Sequence, residues 1–501
     1  MNQIVAFKDD ADPSHALADI CRRTLRQTGP AIRDGDRWID WTDVARHAAA
    51  LTEKLLQAGV APDAAVAFAP RNRPTALSAF LALMATRRRV TMVYPFQSGE
   101  AVAASIRALP VSAIIMDRDD FSSELIDILD AKGVAGIALA DDGSTCICPA
   151  RTASASASAI PALEILTSGT TGPPKHFTIG YDVVLDYIRQ AKQRVGAEGP
   201  PTLLCFPMSN ISGLYTLATS FLRGRSVILL ERFTVADWRD YVVEFRPQAS
   251  GGPPAALAMI LADDVPEEDL SSLRYFSTGA APVNPQVQKT FEDRYGIPVL
   301  QTYGATEFGG PVSAMTLPLR EAYGAGKSGS VGRPIGGAKL RIRDEDSGTL
   351  APSGASGTVE VLCPRMGGDW IVTSDLGTID ADGFLYLHGR SDGAIMRGGF
   401  KIMPEAVEEA LRTHPAVADV SVVGIDDRRL LQLPAAAVVL KPGLEPPSSA
   451  ELEAHIRRTL PATHVPAAWR FVANLPRTVS FKTDRSAVRD LFAGPSASLH
   501  R

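Results

Sequence analysis

The chain of 501 residues is longer than one compact core usually accommodates, so two or more domains are expected. Its hydrophobic content of 45% and charged content of 21% are ordinary for a soluble globular protein. The net charge of −5 argues against a nucleic-acid-binding surface, and we expect no nucleic-acid partner.

Further features of the sequence favour a cytoplasmic enzyme. No N-terminal segment has the pattern of a signal peptide, and no window approaches about 18 uninterrupted apolar residues, so we expect no membrane span. Of the five cysteines, Cys146 and Cys148 lie on a predicted loop without the second pair that a zinc site needs. The three arginines at 87–89 predict a solvated helix end.

The first 150 or so residues alternate between strand-like and helix-like patterns. Thr42 is the predicted N-cap of an amphipathic helix. Buried strands are predicted at residues 65–69 and 90–93, with an apolar helix running through Leu83 between them. Such alternation predicts βαβ units and a largely parallel sheet.

An alternating Ala and Ser run at 153–159 predicts a connector, and the motif TSGTTGPPK follows at 167–175. Its spacing is not that of a Walker loop. Glycines nevertheless let backbone N–H groups face an anion, hydroxyls donate further hydrogen bonds, and a lysine adds charge. The alternative is a flexible surface loop. The candidate phosphate-binding residues are Thr167, Ser168, Gly169, Thr170, Thr171, Gly172 and Lys175.

The remaining pattern predicts three further pieces. A second α/β block extends to about residue 297, with strands at 203–206, 226–230 and 274–277. Short alternating strands at 329–388 predict an antiparallel or barrel-like piece. A small α+β module then follows the GRSDG segment at 389–393, with helices at 404–411 and 451–460 and a strand at 417–423.

Isolated segments in the second half of the chain carry charged groups suited to nucleotide chemistry. YGATEFGG at 303–310 offers Glu307 as a possible Mg²⁺ ligand, or alternatively forms a turn with a solvated glutamate. TSDLG at 373–377 places Asp375 at a predicted strand end, where it can accept from ribose hydroxyls or simply close a turn. Arg390 can donate to the same ribose or pair with a surface acid. Lys482 lies on a predicted exposed hairpin, where a lysine is usually only solvated.

Together these segments resemble the adenylate-forming superfamily, which includes acyl- and aryl-CoA synthetases, peptide-synthetase adenylation domains and beetle luciferases. The resemblance extends from about residue 31 to 491. It includes TSGTTGPPK, STGAAP at 277–282, YGATE, GSVGRP at 329–334, TSDLG, the GRSD junction, RGGFKI at 397–402 and the late lysine.

The resemblance implies that ATP activates a carboxylate as an acyl-adenylate, which then passes to a thiol. It assigns the phosphates to the 167–175 loop, Mg²⁺ to Glu307, the α-phosphate to Thr306, and the attacking carboxylate to Lys482. It assigns binding of the ribose to Asp375 and Arg390. The resemblance implies adenine contacts for Gly279, Ala280, Ala281, Tyr303 and Gly304.

The resemblance also implies an acid site, a hinge and an approach for CoA. The acid site would include Phe206, Asn210, Gly213, Ser277, Gly304 and Phe308. Asp392 would be the hinge of a mobile small domain, whose Gly398 and Gly399 let a pantetheine arm approach. The sequence departs from the family at Asn210, Met396 and His176.

We therefore expect an α/β protein with a large N-terminal domain of βαβ-type parallel sheets and a β-barrel-like piece, residues 1–390, and a smaller mobile α+β domain, residues 391–501. The expected activity is ATP- and Mg²⁺-dependent ligation of a fatty or other hydrophobic acid to CoA. The alternatives are a ligase that loads a carrier-protein thiol in trans and a non-catalytic nucleotide-binding protein.

Overall fold

The computed structural model describes residues 12–95, 99–141, 143–149, 160–167, 175–194, 199–281, 283–345, 347–397, 400–427, 429–478 and 482–493. The predicted connector at 153–159 lies outside these ranges. No helix within them is long and apolar enough to cross a membrane.

The strands are short in the first half of the chain and longer toward its C-terminal end. They are β1 Pro30–Asp34, β2 Arg37–Asp40, β3 Val66–Ala69, β4 Val90–Met92, β5 Ala113–Asp117, β6 Ala135–Leu139, β7 Thr145–Cys148, β8 Ala162–Thr167, β9 Lys175–Gly180, β10 Thr202–Leu204, β11 Val227–Leu229, β12 Ala249–Gly251, β13 Tyr275–Gly279, β14 Val299–Ala305, β15 Gly310–Ala314, β16 Arg333–Pro334, β17 Lys339–Arg343, β18 Ser356–Leu362, β19 Trp370–Ile379, β20 Leu385–Arg390, β21 Ile395–Arg397, β22 Phe400–Ile402, β23 Val417–Asp427, β24 Leu431–Leu440 and β25 Ala468–Phe471.

Several of the α-helices in the described ranges connect parallel strands of one sheet. They are α1 Pro13–Thr24, α2 Trp41–Gln57, α3 Pro74–Ala85, α4 Gly99–Ala108, α5 Ser123–Lys132, α6 Tyr181–Arg194, α7 Ile211–Thr219, α8 Val235–Phe245, α9 Ala255–Ala262, α10 Pro285–Tyr295, α11 Leu317–Tyr323, α12 Pro404–Arg412, α13 Ser449–Ile456 and α14 Arg485–Asp490.

The largest sheet confirms the predicted βαβ organisation. Its strand order is β7-β6-β5-β3-β4-β8-β9, and the five inner strands run parallel. Strands β3, β5 and β6 are buried along their whole length. Helices on a parallel sheet bury both of its faces, so the strands are continuous apolar runs.

Two further sheets bring the central segments together. The order β12-β13-β14-β15-β16 starts with parallel pairs and ends with antiparallel ones. A four-stranded sheet has the order β10-β11-β1-β2. The strands predicted in this block are present within a few residues of their expected bounds.

The C-terminal part of the chain forms two antiparallel units. Strands β17, β18, β19 and β20 form the sheet expected for the barrel-like piece. Strands β21 to β24 form another, with β25 added parallel to β24 and α12 packed on β23. One apolar cluster of this last unit is drawn entirely from residues 395–469. The boundary at residues 390 and 391 stays a prediction.

Helix α2 begins earlier than the sequence indicated. Asp40, not Thr42, is its N-cap residue, and Asp40 makes no side-chain capping bond. Trp41 occupies the first helical position because its ring is buried and stacks on Phe221, with 5.0 Å between ring centroids. Burial of the indole thus decides where the helix starts.

Two other local predictions were wrong. Cys146 and Cys148 lie on strand β7 rather than a loop. No group of three or more potential metal-binding His, Cys, Asp or Glu side chains occurs among the described residues. Arg88 is 2% exposed, not solvated. Its guanidinium donates to the carbonyls of Ala61 and Ala64, which lie beside it in the interior, so the buried charge is hydrogen-bonded.

Candidate active site

The candidate phosphate loop joins two paired strands. Strands β8 and β9 are antiparallel, and Thr167 pairs with Lys175 at the end of this hairpin from which the loop extends. The described backbone therefore places both ends of the loop side by side. Ser168, Gly169, Thr170, Thr171 and Gly172 lie outside the described residues. His176 is exposed, opposite Leu166.

A tight backbone turn follows strand β13. An ideal Cβ on Gly279 would lie 2.4 Å from the Thr302 hydroxyl oxygen, so only glycine fits this close approach to β14. Ala280, next in the chain, has φ +67°, a left-handed conformation that a non-glycine residue rarely adopts. Such strain is concentrated at functional sites. Ala281 follows this turn, and Ser277 within β13 is half-buried.

The YGATEFGG segment combines a strand and a turn. Tyr303 and Gly304 belong to β14, and a 3₁₀ turn covers Thr306–Phe308. An ideal Cβ on Gly304 would lie 2.6 Å from the Gly310 carbonyl oxygen, so the two strands meet closely here. Thr306 is 8% exposed, whereas Glu307, the middle residue of the turn, is half-buried.

Tyr303 is held from two sides. Its ring is 7% exposed and meets Phe308 edge-on, with 5.7 Å between centroids. Its hydroxyl donates to the Asp375 Oδ2 at 2.5 Å. Burial, reinforced by the Asp375 charge, raises the pKa of Tyr303 far above its usual range, so the phenol stays a proton donor. Phe308 is 2% exposed and packs in the same apolar cluster.

Asp375 lies within strand β19, not at a strand end. The strand continues past Asp375 through Gly377, where the neighbouring strand approaches closely. Only glycine tolerates this approach, because an ideal Cβ at position 377 would lie 2.6 Å from the Tyr386 carbonyl oxygen. The register places Asp375 opposite Arg390, and Arg390 Nη1 lies 3.5 Å from Asp375 Oδ1. Pairing of β19 with β20 therefore places Asp375 beside Arg390, and Tyr303 reaches Asp375 from β14 of another sheet, which gives one hydrogen-bonded row.

Lys482, near the C-terminal end of the sequence, is close enough to Arg390 in this row to feel its charge. Its backbone carbonyl accepts from Thr478 N–H at 2.7 Å, which closes the predicted hairpin. The residue keeps access to solvent, yet the surrounding protein desolvates the ammonium and, with the Arg390 charge, lowers its pKa. The Glu307 charge opposes this shift. The ammonium therefore lies within the electrostatic reach of both Arg390 and Glu307.

Sequence reasoning missed the ion pairs that hold the Lys482 segment. Arg485, three residues after Lys482, lies 2.8 Å from Glu405 and 3.4 Å from Glu408 on helix α12. Glu408 is 6% exposed and also accepts from Val422 N–H. The sequence could have indicated these ion pairs, because Glu405 and Glu408 are three residues apart and therefore share one helix face.

The candidate acid segment has a structural cap at its centre. Asn210 Oδ1 accepts from Gly213 N–H at 2.9 Å, which caps helix α7. An ideal Cβ on Gly213 would lie 2.0 Å from the Pro207 carbonyl oxygen, so the segment folds back tightly. The Phe206 carbonyl accepts from buried Asn72. The capping bond accounts for asparagine at position 210.

The candidate hinge lies between the two antiparallel units. Asp392 belongs to a 3₁₀ turn at Ser391–Gly393, between β20 and β21. Strands β21 and β22 flank Gly398 and Gly399, which lie outside the described residues. Met396 is 41% exposed, and Arg397 donates to the Thr463 carbonyl.

The described side chains fit a nucleotide with Mg²⁺. Tyr303 and Arg390 leave the Asp375 carboxylate, 17% exposed, with acceptor capacity for ribose hydroxyls. Among the described residues, no hydrogen bond or ion pair engages the Glu307 carboxylate. Mg²⁺ is commonly held by one or two carboxylates together with substrate phosphates, so a single available glutamate suits it.

Comparison with known proteins identifies both parts of the chain. Residues 22–366 match the AMP-binding enzyme family, and residues 406–482 match the AMP-binding enzyme C-terminal domain. A sulfoacetate–CoA ligase of Cupriavidus necator is 31% identical over 65% of this chain. The aligned part spans 66% of that ligase, which is just under two thirds of its length. A probable 2-succinylbenzoate–CoA ligase of Mycobacterium tuberculosis is 33% identical over 66% of this chain and 85% of its own.

Solved structures agree on the fold. The amide bond synthetase of Marinactinospora thermotolerans is 25% identical and superposes with a TM-score of 0.77, covering 95% of this chain and 99% of its own. The o-succinylbenzoate CoA synthetase of Bacillus subtilis, solved with its acyl-adenylate intermediate, is 23% identical with a TM-score of 0.75, covering 95% and 98%. CoA ligases of this family use ATP and CoA and generally require Mg²⁺. The chain is therefore an enzyme and belongs to the AMP-binding enzyme family.

Proposed function

We propose that the protein is an ATP-dependent carboxylic acid:CoA ligase. The observation that carries this proposal is the convergence of Lys482 with Glu307 and Arg390, since these residues lie far apart in the chain. The names of the curated relatives, sulfoacetate– and 2-succinylbenzoate–CoA ligases, support a CoA acceptor.

In the proposed first step, a carboxylate oxygen of the acid attacks the α-phosphorus of ATP. An acyl–phosphate bond forms, the bond between the α-phosphorus and the bridging oxygen breaks, and pyrophosphate leaves. Lys482 neutralises the charge that accumulates between two anions, and Thr306 donates to the α-phosphate. Mg²⁺, held through Glu307, would supply further charge neutralisation.

We assign the remaining binding roles from the resemblance to the family. Asp375 and Arg390 hold the ribose, and the 167–175 loop holds the outer phosphates. Adenine lies against Tyr303 and the strained turn that follows Gly279. In the second step the thiol sulfur attacks the acyl carbonyl and AMP leaves, with the small domain turning about Asp392 to bring the Gly398–Gly399 turn to the site.

The prediction of a fatty acid finds no support among the relatives, which are named for other acids. We therefore propose an organic carboxylic acid bound along the segment of Phe206, Asn210 and Gly213, with Ser277, Gly304 and Phe308 on its other side. A panel of aryl, short sulfonated and fatty acids, assayed by acid-dependent exchange between pyrophosphate and ATP, identifies the class. No exchange with any acid of the panel contradicts the proposal.

The acceptor requires its own experiment. CoA, a phosphopantetheinylated carrier protein and a simple amine are added separately after adenylation, and the products are identified by mass. The amine is included because the amide bond synthetase of Marinactinospora thermotolerans aligns along 95% of this chain. Thioester formation with CoA is expected; a product with the carrier or the amine alone would overturn the assignment of CoA.

A further inference from the structure

Two buried side chains bind the backbone immediately after Glu307. The Phe308 carbonyl accepts from the Cys363 thiol, with 3.3 Å between sulfur and oxygen. The Gly309 carbonyl accepts from the Tyr187 hydroxyl. Tyr187 is on helix α6 and Cys363 follows strand β18, so distant parts of the chain bind one short turn.

Arg365 extends this arrangement. Its Nη2 donates to the Pro311 carbonyl, and its Nε donates to the Cys363 sulfur at 3.2 Å. The thiol therefore accepts from the guanidinium while it donates to Phe308. Consecutive hydrogen bonds of this kind strengthen one another by polarisation.

The turn has little freedom to move away from these donors. Tyr187 and Cys363 are 0% and 1% exposed, and burial raises the pKa of the Tyr187 phenol, which keeps it a donor. Gly309 and Gly310 have φ of +60° and +110°. An ideal Cβ on Gly309 would lie 2.9 Å from the Met366 sulfur, so the turn is packed as well as hydrogen-bonded.

We propose that Tyr187, Cys363 and Arg365 are positioning residues that hold the Glu307 carboxylate where Mg²⁺–ATP needs it. This inference rests on the proposed function of Glu307. A carboxylate on a short turn keeps its direction only if the backbone of the turn is fixed. The three donors fix it through the carbonyls of Phe308, Gly309 and Pro311, and none of them has to touch the nucleotide.

Paired variants separate positioning from folding. Tyr187→Phe removes one hydroxyl, and Cys363→Ala removes the thiol, whereas Cys363→Ser retains a donor at that position. Tyr241→Phe is the matched control, because Tyr241 is 5% exposed and its hydroxyl also donates to a backbone carbonyl, that of Pro201, at 3.1 Å. All variants are compared by thermal unfolding.

The readouts are the dissociation constant of Mg²⁺–ATP by calorimetry and the apparent KM for Mg²⁺ in pyrophosphate exchange. We expect Tyr187→Phe and Cys363→Ala to weaken both by about 10-fold or more, as supporting partners of metal ligands usually do. Cys363→Ser and Tyr241→Phe should stay within about twofold of the wild type, given that the first keeps a donor and the second lies elsewhere.

Glu307→Gln distinguishes a failure of the proposed function of Glu307 from a failure of the positioning by Tyr187, Cys363 and Arg365. If this variant binds Mg²⁺–ATP as the wild type does, the proposed function of Glu307 fails. If Glu307→Gln weakens binding but Tyr187→Phe and Cys363→Ala do not, the positioning inference is wrong. Should Tyr187→Phe fail to fold, the comparison of Cys363→Ala with Cys363→Ser decides alone.

Discussion

Replacement of Lys482 by alanine tests the central feature of the site. The ammonium lies in the combined field of Glu307 and Arg390, at the end of a hairpin that Arg485 ties to helix α12. Loss of one preorganised donor in an active site costs about 10²–10³ in rate, or roughly 2.7–4 kcal/mol of transition-state stabilisation. We expect Lys482→Ala to reduce acid-dependent pyrophosphate exchange by that factor.

The second half-reaction provides the discriminating measurement. Chemically synthesised acyl-adenylate and CoA are supplied to the variant, and thioester formation is followed directly. Its rate should stay within about twofold of the wild type, because the charge that Lys482 neutralises arises in the first step only. Lys441→Ala, an exposed lysine of the same unit, is the control. An equal fall in both half-reactions would refute the assigned role.

The pH dependence gives a second test of the same residue. Desolvation by the surrounding protein and the Arg390 charge lower the pKa of Lys482, so the active ammonium form is lost as the pH rises through that lowered value. The first half-reaction should therefore decline at a lower pH than an ordinary lysine would produce. Lys482→Arg keeps its charge throughout, and its residual rate should show no such decline. An unchanged alkaline limb in Lys482→Arg would assign the decline to another group.

Three further changes have expected outcomes. Asp392→Pro should spare adenylation and slow thioester formation on the order of 10²-fold through misplacement of the small domain, whereas Asp392→Ala should not; equal effects on both steps would remove the hinge. Gly304→Ala places a Cβ 2.6 Å from the Gly310 carbonyl oxygen and should destabilise the protein by about 1–3 kcal/mol in urea unfolding, whereas Gly368→Ala, with open space around it, should not. The Glu360 side chain is 1% exposed between Arg341 and Arg343, and its hydrogen bond with Arg343 lowers its pKa. The stability that this carboxylate contributes to the fold is therefore present above about pH 4.3 and is lost as the pH falls through the lowered pKa. Glu360→Gln should therefore cost about 1.5–3 kcal/mol at pH 7 and much less at pH 3; an equal cost at both would contradict this sign.

Several features could be predicted because neighbouring residues alone determine them. The apolar runs that became β3 and β4 are buried whatever surrounds them, and their alternation with helical segments already implies a parallel sheet. The motif order also singled out Glu307, Asp375, Arg390 and Lys482, whose roles stay predictions. The hydrophobic-acid prediction rested on composition and lacked any such local cause.

Other features depend on partners far away in the chain, and only the tertiary structure decided them. Asp375 is inside a strand because Gly377 permits close contact with Tyr386, and Arg88 can be buried because the Ala61 and Ala64 carbonyls accept from its guanidinium. The sequence by itself determined which charged groups are available and in what order they occur. Only the folded chain decided that Lys482 shares one electrostatic field with Glu307 and Arg390, since charges separated along the chain interact only when packing brings them together.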